Sequence, residues 1–352
     1  MLQKYLEDLE TRINPDVEED LFNQWTDFWN DRSAAPLFIP GRRTAAPSKL
    51  KWPKIKINDA ILDQSFETML LAQLGGVNAA LADGNGLHLA IRANYGTGIL
   101  PSLFGVGIYM MERELDTLPG TLAVAGGGEA VEKLVAAGIP DLTGGQGETV
   151  FGCTRYFQKV LADYPKLSRY CRIYHPDLQG VFDVCEVVWG SEVFLAIYDT
   201  PDLLKAFMQL VTDTYIAFIE RWFELVPPAA DYNVHYGWVH RGKIRLSLDS
   251  CMNLSPAVYE EFVKPCDAQL LARFGGVVHS CGKVDHFAPL LCGLAGYHGF
   301  NLSQPEYNDM ETVYRSTVDR GVKVLSLRNQ TAQQALDAGR DLRRSVMSEA
   351  LL

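Results

Sequence analysis

The sequence lacks the features that define several large functional classes. No stretch approaches the roughly eighteen uninterrupted apolar residues of a membrane-spanning helix, and the opening segment is acidic where a secretion signal would be apolar. Basic residues are also too few for a nucleic-acid-binding protein, because 32 Lys and Arg face 43 Asp and Glu and leave a net charge of −11. We therefore expect a cytoplasmic protein that binds neither membranes nor nucleic acid.

Cysteine is sparse, and several familiar catalytic motifs are missing. The seven cysteines form an odd set without the close spacing of a disulfide framework, so most should be reduced thiols. The Gly-rich segment 119–150 has neither a P-loop lysine nor a GxGxxG sequence, and it predicts turns instead of a phosphate-binding loop. No GxSxG sequence occurs, which argues against a serine hydrolase.

What the chain does contain is a regular alternation of strand-like and helix-like segments from about residue 200 onward. Thr200-Pro201 predicts the start of a long helix that ends near Pro227-Pro228, and Ser255-Pro256 predicts another that ends at Gly275-Gly276. Strands are predicted over 233–239, 243–250, 276–281, 297–304 and 322–329. Further helices are predicted over 284–293, from an Asn308 cap to Gly321, and over 331–351.

The N-terminal half is less regular. Its sequence predicts a helical segment at the N-terminus, a loop over 36–49, a helix near 59–74 and a strand near 87–96. We interpret residues 1–54 as a helical and loop extension and residues 55–352 as one α/β domain. An uninterrupted βα series favours a (β/α)8 TIM barrel over a doubly wound sheet, and barrels carry their active groups at the carboxyl ends of the strands.

One such strand end carries a candidate metal site. His279 and Cys281 end the predicted strand GVVHSC, and residues two apart in a strand point to the same face. Imidazole and thiolate together suit Zn²⁺, which needs at least one more protein ligand. We expect Cys251 or His286 as that ligand, and Asp249 as an acid/base or hydrogen-bonding group in preference to a ligand. The alternative is a buried structural His–Cys pair.

Polar side chains after other predicted strands are candidates for contacting a substrate or taking part in catalysis. Their alternative interpretations are surface turns, solvated charges and capping residues. The candidate catalytic residues are Asp249, Asp177 and His235. The candidate substrate-binding residues are Arg92, Asn94, Tyr95, Gln179, Asn301 and Ser303.

Three segments carry a resemblance to a known family. The segment DSCMNLSPAVYEEFVKPCDAQLLARFGGVVHSCGKVDHF (249–287), with NYGTGILPSLFG (94–105) and HPDLQGVFD (175–183), resembles the uroporphyrinogen decarboxylase superfamily. The similarity spans roughly residues 55–330, and its most specific part is the SPxxYEEFVKP…HSCG block. The resemblance implies a (β/α)8 barrel, in agreement with the alternation of strands and helices.

The superfamily contains two chemically different branches. The decarboxylases need no cofactor and use an arginine-rich N-terminal segment and an aspartate in an FSDI-like strand end, whereas this chain has PLFIPGRRTAAPSK and no FSDI. The zinc-dependent methyltransferases move a methyl group between a corrinoid protein and a thiol or pterin, and they share an HxC sequence followed much later by another Cys. His279 and Cys281 match the HxC sequence, but no Cys follows Cys292.

The resemblance therefore implies a zinc-dependent methyltransferase with a corrinoid protein as partner. Two alternatives stay open. One is a cofactor-free decarboxylase of uroporphyrinogen or another polycarboxylate, in which Arg92 and Asp177 handle the substrate. The other is a non-catalytic corrinoid- or tetrapyrrole-binding protein, which the absence of a late Cys would explain.

Overall fold

The computed structural model describes residues 2–348 and shows an α/β protein. Its α-helices are α1 (Gln3–Arg12), α2 (Pro15–Trp29), α3 (Ile57–Leu62), α4 (Phe66–Asp83), α5 (Ile99–Leu103), α6 (Gly127–Ala137), α7 (Gly147–Leu161), α8 (Pro165–Tyr170), α9 (Val181–Trp189), α10 (Val193–Asp199), α11 (Pro201–Leu225), α12 (Pro256–Val258), α13 (Lys264–Phe274), α14 (Ala288–Leu291), α15 (Met310–Ser316) and α16 (Asn329–Asp337). Its strands are β1 (Ala90–Ile91), β2 (Gly107–Tyr109), β3 (Gly120–Leu122), β4 (Arg172–Ile173), β5 (Tyr232–His235), β6 (Trp238–Arg241), β7 (Ile244–Ser247), β8 (Gly276–Ser280), β9 (Tyr297–Leu302), β10 (Lys323–Leu327) and β11 (Val346–Ser348).

The main sheet has five strands in the order β11-β10-β9-β8-β7, and all its pairs are parallel. A separate parallel pair joins β1 to β4, while β2–β3 and β5–β6 are antiparallel. Every residue of β7 and β8 is buried, as expected for strands covered on both faces. The structure thus confirms the α/β class with a parallel sheet. None of the helices it describes is long and apolar enough to cross a membrane.

The two long helices predicted from residue 200 onward form as expected. Pro201 is the first residue of α11, where its missing amide hydrogen costs nothing, and the helix buries one apolar face as far as Trp222. The second helix starts at the Ser255 cap, whose hydroxyl accepts a hydrogen bond from the amide of Val258, and it ends at Gly275. Its middle, Tyr259–Val263, is a π-helical turn just before Pro265, which cannot supply a backbone hydrogen bond.

The N-terminal segment packs on the rest of the fold through aromatic and charged side chains. The indole nitrogens of Trp25 and Trp29 donate to the carbonyls of Gly86 (2.9 Å) and Val239 (2.7 Å). Glu18 and Arg42 form a buried ion pair at 2.7 Å. Phe38 pairs with Met347 of β11, so the loop after α2 lies beside the edge strand of the main sheet.

The predicted strand over 233–239 is wrong, because this segment is a hairpin. Tyr236 and Gly237 have φ of +53° and +82°, and this left-handed turn reverses the chain between β5 and β6. The hairpin places the Tyr236 side chain next to Asp177, whose carboxylate accepts a hydrogen bond from the phenol at 2.7 Å.

The predicted final helix over 331–351 is also wrong in its second half. Helix α16 ends at Asp337, and Gly339, Arg343 and Arg344 all have positive φ, so the chain turns and adds strand β11 to the sheet. Residues 349–351 of that predicted helix, and the predicted domain limits at residues 1 and 352, lie outside the described residues.

Three smaller predictions need correction. Within 119–150, Gly127–Ala137 is a helix and not a turn, because the glycines precede an amphipathic sequence. The helix predicted over 284–293 is limited to Ala288–Leu291. Helix α15 is capped by Asp309 instead of Asn308, since the Asn308 carboxamide accepts hydrogen bonds from the amides of Val284 and Asp285.

Candidate metal centre

Asp249, His279 and Cys281 meet at the carboxyl ends of β7 and β8. The two strands pair in parallel with Ser247 opposite His279, so the residues that follow Ser247 lie beside the end of β8. The backbone amide of Cys281 donates to the Asp249 carboxylate at 2.8 Å. Potential ligand atoms of the three side chains all lie within 4.8 Å of one another. Nitrogen, sulfur and carboxylate oxygen donors thus converge on one point.

The distances within this group leave room for an ion. The Sγ atom of Cys281 lies 3.4 Å from Nε2 of His279, and Oδ1 of Asp249 lies 3.6 Å from the same nitrogen. His279 is buried, whereas Asp249 and Cys281 are half-buried. The group is therefore held by the sheet and still open on one side.

Asn301 on β9 fixes the tautomer of His279. The Asn301 side-chain amide donates to the carbonyl of Leu325 (2.9 Å), so its Oδ1 faces Nδ1 of His279 at 2.6 Å and must accept a hydrogen bond from it. Nδ1 of His279 then carries the proton, and Nε2 presents a lone pair towards Cys281 and Asp249. Metal-ligating histidines commonly have such a partner on the second ring nitrogen.

Asp183 on α9 holds the loop that carries Asp249. Its buried carboxylate accepts hydrogen bonds from the amides of Gly180 (3.2 Å), Asp249 (3.1 Å) and Ser250 (2.6 Å). Burial, followed by the charge of Asp249, raises the pKa of Asp183 to about 7. Sequence reasoning missed this residue, because it is 66 positions away from Asp249 in the chain.

Electrostatics around the group keep the imidazole neutral. Burial, and then the positive charge of Arg245, lower the pKa of His279. Burial and the charge of Asp249 raise the pKa of the Cys281 thiol, to which the Ser303 hydroxyl hydrogen-bonds. The free site therefore contains a neutral imidazole and a protonated thiol at neutral pH, and a cation would have to displace the thiol proton.

The two residues favoured as the third metal ligand do not belong to this group. Cys251 is fully buried in the turn after β7, and its burial raises its pKa well above that of a free thiol. Nδ1 of His286 lies 4.0 Å from the adjacent Asp285, and the His286 ring packs edge-on against Phe287. The structure brings Asp249 to His279 and Cys281 instead.

A second polar group surrounds the Asp177 carboxylate. Two guanidinium groups lie beside it, that of Arg92 at 3.5 Å and that of Arg245 at 3.7 Å. Tyr236 donates to Asp177 and hydrogen-bonds Arg92, and the guanidinium groups of Arg92 and Arg245 lie 4.6 and 4.4 Å from the centroid of its ring. The nearby charges hold the pKa of Asp177 well below its usual range despite burial. Gln179 donates to the same carboxylate at 2.8 Å.

The remaining candidate substrate-binding residues lie in different parts of the structure. Ser303 lies beside Cys281, and Asn301 contacts His279. Asn94 is half-buried after β1. Tyr95 is buried, and its hydroxyl hydrogen-bonds the thiol of Cys153 in α7.

His235 belongs to a row of buried imidazoles. Its ring lies 4.2 Å from that of His175 and 4.8 Å from that of His240, centroid to centroid. The described contacts of His235 are with this row and with Tyr174. Sequence reasoning also missed Arg245 and Tyr236. Two sequence features could have identified them. Arg245 lies between the apolar residues of a predicted strand, and Tyr236 is an aromatic residue directly before Gly237.

Comparison with known proteins gives an informative structural similarity. No family model matches the chain, and no curated protein matches it. Among solved structures, a methyltransferase from Methanosarcina mazei superposes with a TM-score of 0.62 at 14% sequence identity, covering 94% of this chain and 92% of that one. At this identity the similarity shows a shared fold over nearly the whole of both chains.

Proposed function

We propose that the protein is a zinc-dependent methyltransferase of the uroporphyrinogen decarboxylase superfamily. In this proposal it moves a methyl group from a methyl-corrinoid protein to a thiol or pterin acceptor. The observation that carries it is the convergence of Asp249, His279 and Cys281 at the ends of two parallel strands. The shared fold with a methyltransferase supports it. The parallel strands would then form a (β/α)8 barrel over residues 55–352, preceded by the extension 1–54.

The donor atoms fit zinc in type and spacing. Tetrahedral zinc with ordinary bond lengths separates sulfur from nitrogen by about 3.6 Å and nitrogen from oxygen by about 3.3 Å. The corresponding distances here are 3.4 Å from Cys281 to His279 and 3.6 Å from His279 to Asp249. Three protein ligands leave a fourth position for a substrate, which is the arrangement of catalytic zinc sites.

Asp249 takes the place of the late cysteine that the resemblance implies. Its carboxylate is oriented from both sides, by the amide of Cys281 and by the anchoring of its own amide to Asp183. A bound zinc ion would lower the pKa of a coordinated acceptor thiol, so that the acceptor is nucleophilic near neutral pH. The chain's own contribution is to hold the three ligands and to fix the imidazole through Asn301.

Arg92 and Arg245 give the proposed active site a place for an anionic substrate group. Both guanidinium groups face Asp177, and two positive charges around one carboxylate leave a net positive charge. Arg245 is close enough to lower the pKa of His279, so this charge lies near the metal ligands. We propose that Asp177 and Tyr236 orient the two arginines towards the substrate.

Metal content tests the site directly. Purified wild-type protein, reconstituted under reducing conditions, should contain one zinc ion per chain by elemental analysis, and the His279→Ala/Cys281→Ala variant should contain none. Cys292→Ala is the matched control, because Cys292 is a thiol outside the group and its loss should leave zinc unchanged. Absence of zinc from the wild type, or its retention in the double variant, would overturn the proposal.

Activity is tested separately. Zinc-loaded protein with methylcobalamin as the donor and a panel of thiols and pterins as acceptors should show demethylation of the corrinoid by absorbance, and Asp249→Ala should abolish it. Zinc binding without methyl transfer to any acceptor would refute the proposed methyltransferase activity but not the proposed zinc site. Release of CO2 from uroporphyrinogen by zinc-free protein would establish the decarboxylase instead.

A further inference from the structure

A cavity of about 820 Å³ lies away from the metal centre, between α2, α8, the end of α11 and hairpin β5–β6. Its volume is within the range of sites that enclose a small molecule. Arg172 and Lys243 line it, together with His88 and His235. No residue of the candidate metal centre or of the group around Asp177 lines it, so the proposed methyl transfer does not account for this cavity.

The cavity and the metal centre lie at opposite ends of β7. Lys243 precedes the first residue of this strand, and Asp249 follows its last residue. Six residues of extended chain span about 20 Å. Arg172 and His88 likewise lie at or before the start of β4 and β1. A ligand held by Lys243 and Arg172 therefore lies near the amino ends of β7 and β4, whereas Asp249 lies beyond the carboxyl end of β7.

The cavity wall carries uncompensated positive charge. Arg169 pairs with Glu19 at 2.8 Å, and Glu18 pairs with a buried arginine behind the wall, so these charges cancel. Arg172 and Lys243 have no side-chain partner among the described residues. Arg172 is exposed and Lys243 half-buried, which places two free cations where an anion entering from solvent would meet them.

His235, a residue of the cavity wall, also has a ring nitrogen that no described residue hydrogen-bonds. Nδ1 of His240 lies 2.9 Å from the carbonyl of Arg241 and must donate to it, so Nε2 of His240 accepts from Nδ1 of His235 at 2.6 Å. Nε2 of His235 is then a lone pair, buried and without a partner. Burial lowers the pKa of His235 well below its usual value, so the ring stays neutral. Nε2 of His88 is buried and unpartnered as well.

Aromatic side chains form much of the remaining wall. Phe22, Tyr174, Trp222 and Tyr232 all line the cavity, and Trp222 is fully buried. Such rings favour a flat ligand, because stacked and edge-on contacts need planar partners. We propose that the cavity is a second ligand site, which binds a planar aromatic acid whose ring carries a hydroxyl or N–H group. Its anionic group would pair with Arg172 and Lys243, and its ring donor would bond Nε2 of His235.

Titration calorimetry with 4-hydroxybenzoate on the full-length protein tests this proposal. We expect saturable 1:1 binding, and binding at least about tenfold weaker for Arg172→Ala/Lys243→Ala, which removes the charge-assisted contacts. The matched control is Lys133→Ala/Arg320→Ala, which removes two exposed cations that do not line the cavity. This control should bind like the wild type.

Two further comparisons separate this site from the metal centre and test the His235 contact without mutating a buried residue. The affinity should be unchanged in His279→Ala/Cys281→Ala, whatever the outcome of the zinc experiments. Benzoate, which lacks the hydroxyl donor, should bind about tenfold more weakly than 4-hydroxybenzoate. No saturable binding up to low millimolar concentration, equal binding by the Arg172→Ala/Lys243→Ala variant, or equal affinity for the two acids would overturn the proposal.

Discussion

Replacing Asn301 by leucine tests how the fold prepares His279 for a metal ion. Leucine has nearly the same shape as asparagine but removes both hydrogen bonds that Asn301 makes, to Nδ1 of His279 at 2.6 Å and to the carbonyl of Leu325 at 2.9 Å. Nδ1–H of His279 then loses its acceptor. The ring is free to change tautomer or to rotate, so that Nε2 no longer points steadily at Cys281 and Asp249.

The expected magnitude follows from the role of such partners in known metal sites. Loss of the group that orients a metal-ligating histidine lowers metal affinity by roughly 10–100-fold, or about 1.4–2.7 kcal/mol. Asn301→Asp keeps an acceptor for Nδ1 of His279 but places a carboxylate oxygen, which cannot donate, opposite the carbonyl of Leu325. Its zinc affinity should therefore lie closer to that of the wild type than to that of Asn301→Leu.

Competition with a chromophoric zinc chelator at fixed pH measures these affinities. The matched control is Asn58→Leu, because Asn58 is also buried and its amide also donates to a backbone carbonyl, that of Glu112 at 2.7 Å. Both leucine variants should lose folding stability, but only Asn301→Leu should lose zinc affinity. Equal zinc affinity in Asn301→Leu and the wild type would refute the orienting role, as would equally weak binding by Asn301→Asp and Asn301→Leu.

Two further predictions concern stability. Burial raises the pKa of Asp267, which accepts a hydrogen bond from Tyr259, to about 8, so its ionisation opposes folding and the free energy of unfolding should fall as pH rises from about 4 to about 8. Asp267→Asn should therefore gain urea resistance relative to the wild type across this window, and parallel pH profiles would contradict the assignment. Glu18→Ala leaves buried Arg42 without its counter-charge and should cost about 3–5 kcal/mol in urea unfolding, whereas a loss below about 1 kcal/mol would show that backbone carbonyls satisfy Arg42.

The sequence was sufficient to predict the strands that carry the candidate metal centre. Short segments that contain Ile, Leu and Val predict β7 and β8, and the two-residue period of a strand places His279 and Cys281 on one face. The third residue of the candidate metal site, beside His279 and Cys281, was harder to predict. Cys251 and Asp249 are both near the end of β7, and the local turn decides which of them faces β8. That turn is held by Asp183, a contact distant in sequence.

Two of the errors have a common physical origin in backbone conformation, and a third concerns a buried charge. Tyr236-Gly237 lacks the Asn-Gly signal of a tight hairpin, so an apolar run looked like one strand although it contains a turn. Arg343 and Arg344 favour a helix end by composition, yet both adopt left-handed φ and lead into β11. Arg245 was missed because strand propensity does not show that a charged residue inside an apolar strand finds a buried partner.

The hydrogen bond from the indole of Trp29 to the carbonyl of Val239 has a consequence for the chain while it is being synthesised. It joins residues 210 positions apart, and Arg92 and Tyr236 are joined across 144. Until the ribosome has released the β5–β6 hairpin, Trp29 lacks its final hydrogen-bond partner and part of the surface it packs against. Contacts of such long range slow folding. A nascent chain ending before residue 230 therefore displays aromatic surface from α2, and we expect it to recruit chaperones or aggregate.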